Sequence, residues 1–232
     1  MSNPVIEKIK HKLIVSCQAE ENTPFDSPAD MLKFAQAAVL GGAGGIRSEG
    51  FEKTRLIRKH IELPLIGLVK GKFTDGFVRI TREFKEVEDI LDAGADIVAI
   101  DGTKRIHNKI SGPALIETCK KKMPGIVILA DISTTDDAKA SIESGADAIS
   151  TCLRGFTPET HDAVNGNLDL DFLERLLIMF PGFPVVAEGL ITTPESAGTV
   201  IRMGAWSVVI GSAITRPHVV TSWFGNAINK NL

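Results

Sequence analysis

Gly94-Ala95-Asp96-Ile97-Val98-Ala99-Ile100-Asp101 carries the pattern that decides the fold. A glycine able to take the left-handed conformation closes a helix, a nearly continuous apolar run of strand length follows, and a carboxylate ends it. A run apolar on both faces suits a parallel strand covered on both sides. The pattern recurs in both directions: Gly42-Ala43 leads into Gly44–Glu49, Gly145-Ala146-Asp147 into Ala148–Cys152, and Gly204-Ala205 into Ser207–Ser212. Pro64–Lys70, Ile126–Asp131 (after Pro124) and Pro184–Gly189 follow prolines instead, and Leu13–Gln18 is the first run. Helices are predicted over Asp30–Leu40, Phe51–Ile61, Glu83–Asp92, Ser111–Lys122, Thr135–Ser144, Asp171–Phe180, Thr193–Met203 and His218–Asn231. Eight strand–helix pairs without a linker predict a single-domain (β/α)8 barrel over residues 1–232. A spacing of roughly fifty residues is two such pairs; a solenoid would show more alike repeats.

The 232 residues carry 26 Lys+Arg against 29 Asp+Glu, for a formal net charge of −3. That balance argues against a nucleic-acid surface, and no basic run exceeds Lys120-Lys121-Lys122. Apolar stretches such as Leu63–Val69 fall short of the ~20 residues that a bilayer requires. Met1–His11 is charged and lacks the apolar segment of a signal peptide. Cys17, Cys119 and Cys152 have no metal-finger spacing, which suggests a reduced cytoplasm.

Barrels of this class place their active site at the C-terminal ends of the strands. The predicted ends carry Gln18, Arg47, Lys70, Asp101, Asp131, Thr151, Glu188 and Gly211-Ser212. One charge could simply mark where a strand meets water; a ring of them points to a site. The turns Glu188-Gly189-Leu190 and Gly211-Ser212-Ala213 follow strands seven and eight, where backbone N–H groups often hold phosphate, and Arg216 could add a charged contact. The five histidines are isolated, so neither a metal site nor a cofactor is expected, and no ligand cluster at a strand end. Cys17 and Cys152 read as small core residues rather than as a pair of catalytic thiols.

Six motifs in order resemble the N-acetylmannosamine-6-phosphate 2-epimerase family: Ile14-Val15-Ser16-Cys17-Gln18, Gly45-Ile46-Arg47, Ile66-Gly67-Leu68-Val69-Lys70, Ala130-Asp131-Ile132-Ser133-Thr134, Ala187-Glu188-Gly189 and Gly211-Ser212-Ala213-Ile214-Thr215-Arg216-Pro217. The resemblance spans Leu13 to Pro217. It implies interconversion of N-acetylmannosamine 6-phosphate and N-acetylglucosamine 6-phosphate in bacterial amino-sugar and sialic acid catabolism. It also implies Lys70 and Glu188 as catalytic residues, and Gln18, Arg47, Asp131 and Arg216 as substrate contacts. The chain departs from the family where members commonly have alanine at Gly102, tyrosine at Phe156 and a polar residue at Leu190. It has no tyrosine at all.

Inverting C2 of an N-acylamino sugar requires removing a carbon-bound proton, acidified by the carbonyl of the ring-opened form. The enolate then needs fixed positive charge or hydrogen bonds. Lys70 can accept that proton only when neutral, which a nearby cation such as Arg47 would favour and Glu188 would oppose. Lys70 and Glu188 could flank C2 as two bases, or lysine could exchange the proton while Glu188 assists ring opening. Other phosphate-binding barrels compete: a ribulose-phosphate epimerase, which would need metal ligands, or a Schiff-base aldolase using Lys70. A non-catalytic sugar-phosphate-binding protein is a third reading. The apolar stripe of the last helix, with the resemblance, suggests a homodimer.

Overall fold

The computed structural model describes residues 3–19, 23–164 and 166–230. Eight parallel strands form a closed barrel: β1 Leu13–Cys17, β2 Gly45–Glu49, β3 Leu65–Leu68, β4 Ile97–Asp101, β5 Ile128–Asp131, β6 Ala148–Ser150, β7 Val185–Glu188 and β8 Ser207–Ile210. Each pairs with the next, and β1 closes on β8 with Ile14 opposite Val209, which excludes the solenoid. The helices are α1 Pro4–Lys8, α2 Pro28–Leu40, α3 Phe51–Arg58, α4 Phe84–Asp92, α5 Gly112–Lys122, α6 Thr135–Glu143, α7 Leu170–Met179, α8 Pro194–Met203, α9 Ser212–Thr215 and α10 Pro217–Asn229. The predicted final helix thus begins one residue early, and Asn231 lies outside the described residues. Gly42, Gly94, Gly145 and Gly204 all have positive φ, as the Gly-Ala turns require. Thr193 caps α8, accepting from the Ser196 N–H, with Pro194 in the first turn.

Side chains alternate along each strand, which splits the core in two. Val98, Ile100, Ile128, Ala130, Ile149, Val185, Ala187, Val208 and Ile210 pack outward under the helices. Ile14, Ile66, Leu68, Ile97, Ala99, Leu129, Ala148, Val186 and Val209 fill the interior. The next residue of interior parity at the C-terminal end is Ser16 on β1, Asp101 on β4, Asp131 on β5, Ser150 on β6 and Glu188 on β7. The period of two that buries the apolar residues therefore aims the polar ones into the barrel mouth. At the opposite end α1 plugs the barrel with Ile6 and Ile9, and the Trp206 indole donates to the Ile6 carbonyl at 2.8 Å.

Two short hairpins stand on the C-terminal face. Lys70–Lys72 pairs with Val78–Ile80, so Lys70 does not end β3 but opens a hairpin strand. β3 stops at Leu68 because Val69 turns its backbone to Thr81: its N–H donates to Thr81 Oγ1 at 2.9 Å and its carbonyl accepts from the Thr81 N–H at 2.8 Å. The second hairpin, Ile106–His107 with Ile110–Ser111, is anchored by Arg82. That buried guanidinium donates to the carbonyls of Asp101, Thr103, Arg105 and Ile110 at 2.6–3.3 Å.

Candidate active site

Arg47 projects from β2 into the barrel with no solvent exposure. Its Nη1 and Nη2 lie 3.1 and 2.5 Å from the two oxygens of Asp131 on β5. Nη1 is also 2.9 Å from Glu188 Oε2 on β7. Burial opposes the charge, but Asp131 and Glu188 outweigh it and hold the guanidinium more firmly protonated than usual. For the acids the balance runs the other way. Burial pushes Asp131 and Glu188 upward, and Arg47 only partly offsets it.

Cys152 completes this cluster. Its sulfur lies 3.7 Å from Arg47 Nη2 and within 4.8 Å of a Glu188 carboxylate oxygen. It is half-buried and lines the cavity, so it is not the core residue expected from the sequence; Cys17 is. Burial and the two carboxylates push the Cys152 thiol up, which keeps it protonated. Asp131, Cys152 and Glu188 bring ligand atoms within 4.8 Å of one another, correcting the expectation that no such cluster exists at the strand ends. The three residues are 21 to 57 positions apart in sequence, so no motif spacing reveals them. The positive charge among these ligands is supplied by Arg47 itself.

A cavity of about 280 Å³ opens above Arg47 at the C-terminal mouth. Gln18, Arg47, Lys70, Glu188, Gly189, Gly211, Ser212 and Arg216 all line it. Asp131 does not; it stands behind Arg47, fully buried. Asp101 is also outside, bonded to the Thr103 N–H and hydroxyl and 3.7 Å from Arg82. Gln18 Nε2 donates to Ser16 Oγ at 2.8 Å, and Arg216 Nη1 reaches Ser212 Oγ at 3.5 Å. Gly189 and Leu190 both have positive φ, 99° and 57°, where β7 turns away from the cavity. Val78, Ile80, Phe156, Leu190 and Trp223 supply an apolar wall that the sequence reading did not assign.

Lys70 and Glu188 enter from opposite sides. Glu188 ends β7 and Lys70 opens the hairpin after β3, and those two strands are four apart in a ring of eight. A (β/α)8 barrel whose mouth gathers a lysine, a buried arginine and a carboxylate around one cavity has the layout of an enzyme active site. The family model described as "Putative N-acetylmannosamine-6-phosphate epimerase" matches residues 31–230. A protein of Caldanaerobacter subterraneus subsp. tengcongensis, named "Putative N-acetylmannosamine-6-phosphate 2-epimerase", is 41% identical over 231 residues, 99% of this chain and 96% of its own. The Clostridioides difficile protein of the same name is 41% identical over 98% of this chain and 100% of its own. The solved N-acetylmannosamine-6-phosphate 2-epimerase of Clostridium perfringens superposes with a TM-score of 0.89 at 34% identity, covering 97% of this chain and 96% of that one. The chain belongs to the N-acetylmannosamine-6-phosphate epimerase family.

Proposed function

We propose that the chain interconverts N-acetylmannosamine 6-phosphate and N-acetylglucosamine 6-phosphate by moving the proton at C2, within amino-sugar catabolism. Lys70 is the group that takes this proton, and Glu188 serves the sugar from the far wall. Gln18 and Arg216 contact substrate, as does Arg47, which Asp131 holds in place. Backbone groups at Gly189, Gly211 and Ser212 receive the phosphate. The observation that carries this reading is the pairing of a lysine and a carboxylate on opposite walls of one cavity lined by a buried arginine. Inversion at carbon needs access to both faces, which fits groups placed on different walls of the cavity. The single barrel domain spans residues 1–232 and works as a cytoplasmic homodimer. Its three cysteines are free thiols, which fits a reducing compartment, and no helix among the described residues is long and apolar enough to cross a membrane.

The test is deuterium incorporation at C2 of N-acetylmannosamine 6-phosphate in heavy water. Lys70→Met keeps much of the stem and removes the amine. Exchange and epimerisation should fall together by ~10²–10⁴-fold, the range for losing a general base, while Lys72→Met costs far less. A folded Lys70→Met enzyme exchanging at the wild-type rate would overturn the mechanism. The same assay on an open-chain analogue sorts the two tasks open to Glu188. If Glu188→Gln still exchanges the analogue, Glu188 opens the ring; if exchange is lost, it acts at C2.

A further inference from the structure

Ser150 at the end of β6 bonds the Glu188 side chain, Thr151 just after it bonds the Glu188 main chain, and the Cys152 sulfur follows beside the carboxylate. Thr151 Oγ1 accepts the Glu188 N–H at 2.9 Å and donates to its carbonyl at 2.7 Å, which fixes the main chain. Ser150 Oγ donates to Glu188 Oε2 at 3.1 Å. The same hydroxyl accepts the Cys152 N–H at 3.2 Å, and this bond starts the short 3₁₀ turn Thr151–Leu153 that brings the thiol round to the carboxylate. Oε2 therefore meets Arg47 and Ser150 together, and the Cys152 sulfur lies beside both the carboxylate and the guanidinium at the cavity wall.

A carboxylate paired only with Arg47 could rotate about its terminal torsion and follow the guanidinium, because that torsion is broad. A hydroxyl on one oxygen and a thiol beside it remove this freedom. We propose that Ser150 and Cys152 are positioning residues for Glu188, tying down one side of its carboxylate so that the other faces the substrate. This inference rests on the reading that Glu188 acts on the sugar. Both donors also favour the ionised form, so they tune as well as aim it.

The experiment compares Ser150→Ala and Cys152→Ala with Ser150→Thr and Cys152→Ser, all with thermal unfolding as a check on folding. The alanine variants should lose roughly ten- to hundredfold in kcat, as outer partners of an active group do, with KM little changed. The conservative variants, which keep a donor, should recover most of it. Losing a donor should also move the acid limb of kcat/KM to higher pH. In a Glu188→Gln background Ser150→Ala should cost almost nothing more, because the carboxylate whose chemistry it serves is gone. An unmoved acid limb, or an equal loss in both backgrounds, would overturn the proposal and leave these contacts as a β6–β7 staple. If Glu188→Gln alone is fully active, the assignment of Glu188 itself falls, and this inference with it.

Discussion

Arg47 is the residue on which the site's electrostatics turn. Without it, Asp131 and Glu188 would be two buried acids converging on the gap it leaves. Breaking a buried ion pair by removing one partner costs about 3–5 kcal/mol, because the other charge is left uncompensated. Arg47→Met should therefore lower the urea midpoint strongly at neutral pH. The sign of the pH effect follows from linkage. Burial already holds both folded carboxyls above their ordinary range, and losing the cation raises them further. The folded variant then binds more protons than the unfolded chain, so its stability falls as pH rises and recovers as pH drops toward 5. Urea unfolding at two pH values measures this; equal losses at both would refute it. Arg47 and Glu188 could be singled out because each is a charge near the end of an apolar run. Ser150 could not, since a serine on a strand has no sequence mark of its own; Cys152 reads from sequence as a core residue, and only the 3₁₀ turn after β6 brings it to the cavity wall.

Elements decide what the residues can reach. The hairpin that carries Lys70 escapes the sequence reading, because Pro64–Lys70 reads as one strand, although Asp75-Gly76 between Lys70-Gly71-Lys72-Phe73 and Phe77-Val78-Arg79-Ile80 is an Asp-Gly turn signal. Gly76 takes φ 87° there, and Phe73 accepts its N–H at 3.0 Å. Gly102, after β4, sits where a side chain has no room. A Cβ at that position would lie 2.6 Å from Ser141 Oγ and 3.0 Å from Ala130 Cβ. Gly102→Ala should cost ~1–3 kcal/mol of stability as an overpacked core does, and adding Ser141→Ala should return part of it. A thermal melt of both variants checks this, and an unperturbed Gly102→Ala would count against the packing. At β8, Gly211 has a negative φ of −109°, so replacing it brings no left-handed strain, and its Cβ would meet Ser16 Cβ at an ordinary 3.4 Å. The extra methyls of Gly211→Val would then extend beyond that contact, beside the cavity that Gly211 lines. KM should rise more than kcat falls, because phosphate binding is largely shared by ground and transition states. Unchanged kinetics in a folded variant would remove the phosphate assignment.

At the scale of the whole molecule, α10 is the helix that the barrel leaves uncovered. None of its residues is buried, and it packs chiefly against α9. Phe224 and Ile228 are 68% and 63% exposed, one turn apart. Such an apolar stripe suits the proposed second copy of the chain, and Trp223 beside it lines the cavity, so the interface would border the site. Phe224→Asp with Ile228→Asp should shift the protein from dimer to monomer in sedimentation velocity. A wild-type monomer, or a dimer that survives both changes, would dismiss the arrangement. The eight-pair barrel, its Gly-Ala turns and most charges of the mouth were determined by the sequence itself, because strand periodicity and helix caps are written in neighbouring residues. Tertiary structure alone decided which of those charges meet. Closure of β1 onto β8 and the inward parity of every strand bring Arg47, Asp131, Cys152 and Glu188 together across up to 141 positions, while Asp101 turns to Arg82. Contacts between interior faces depend on how the ring closes, and no local pattern encodes that.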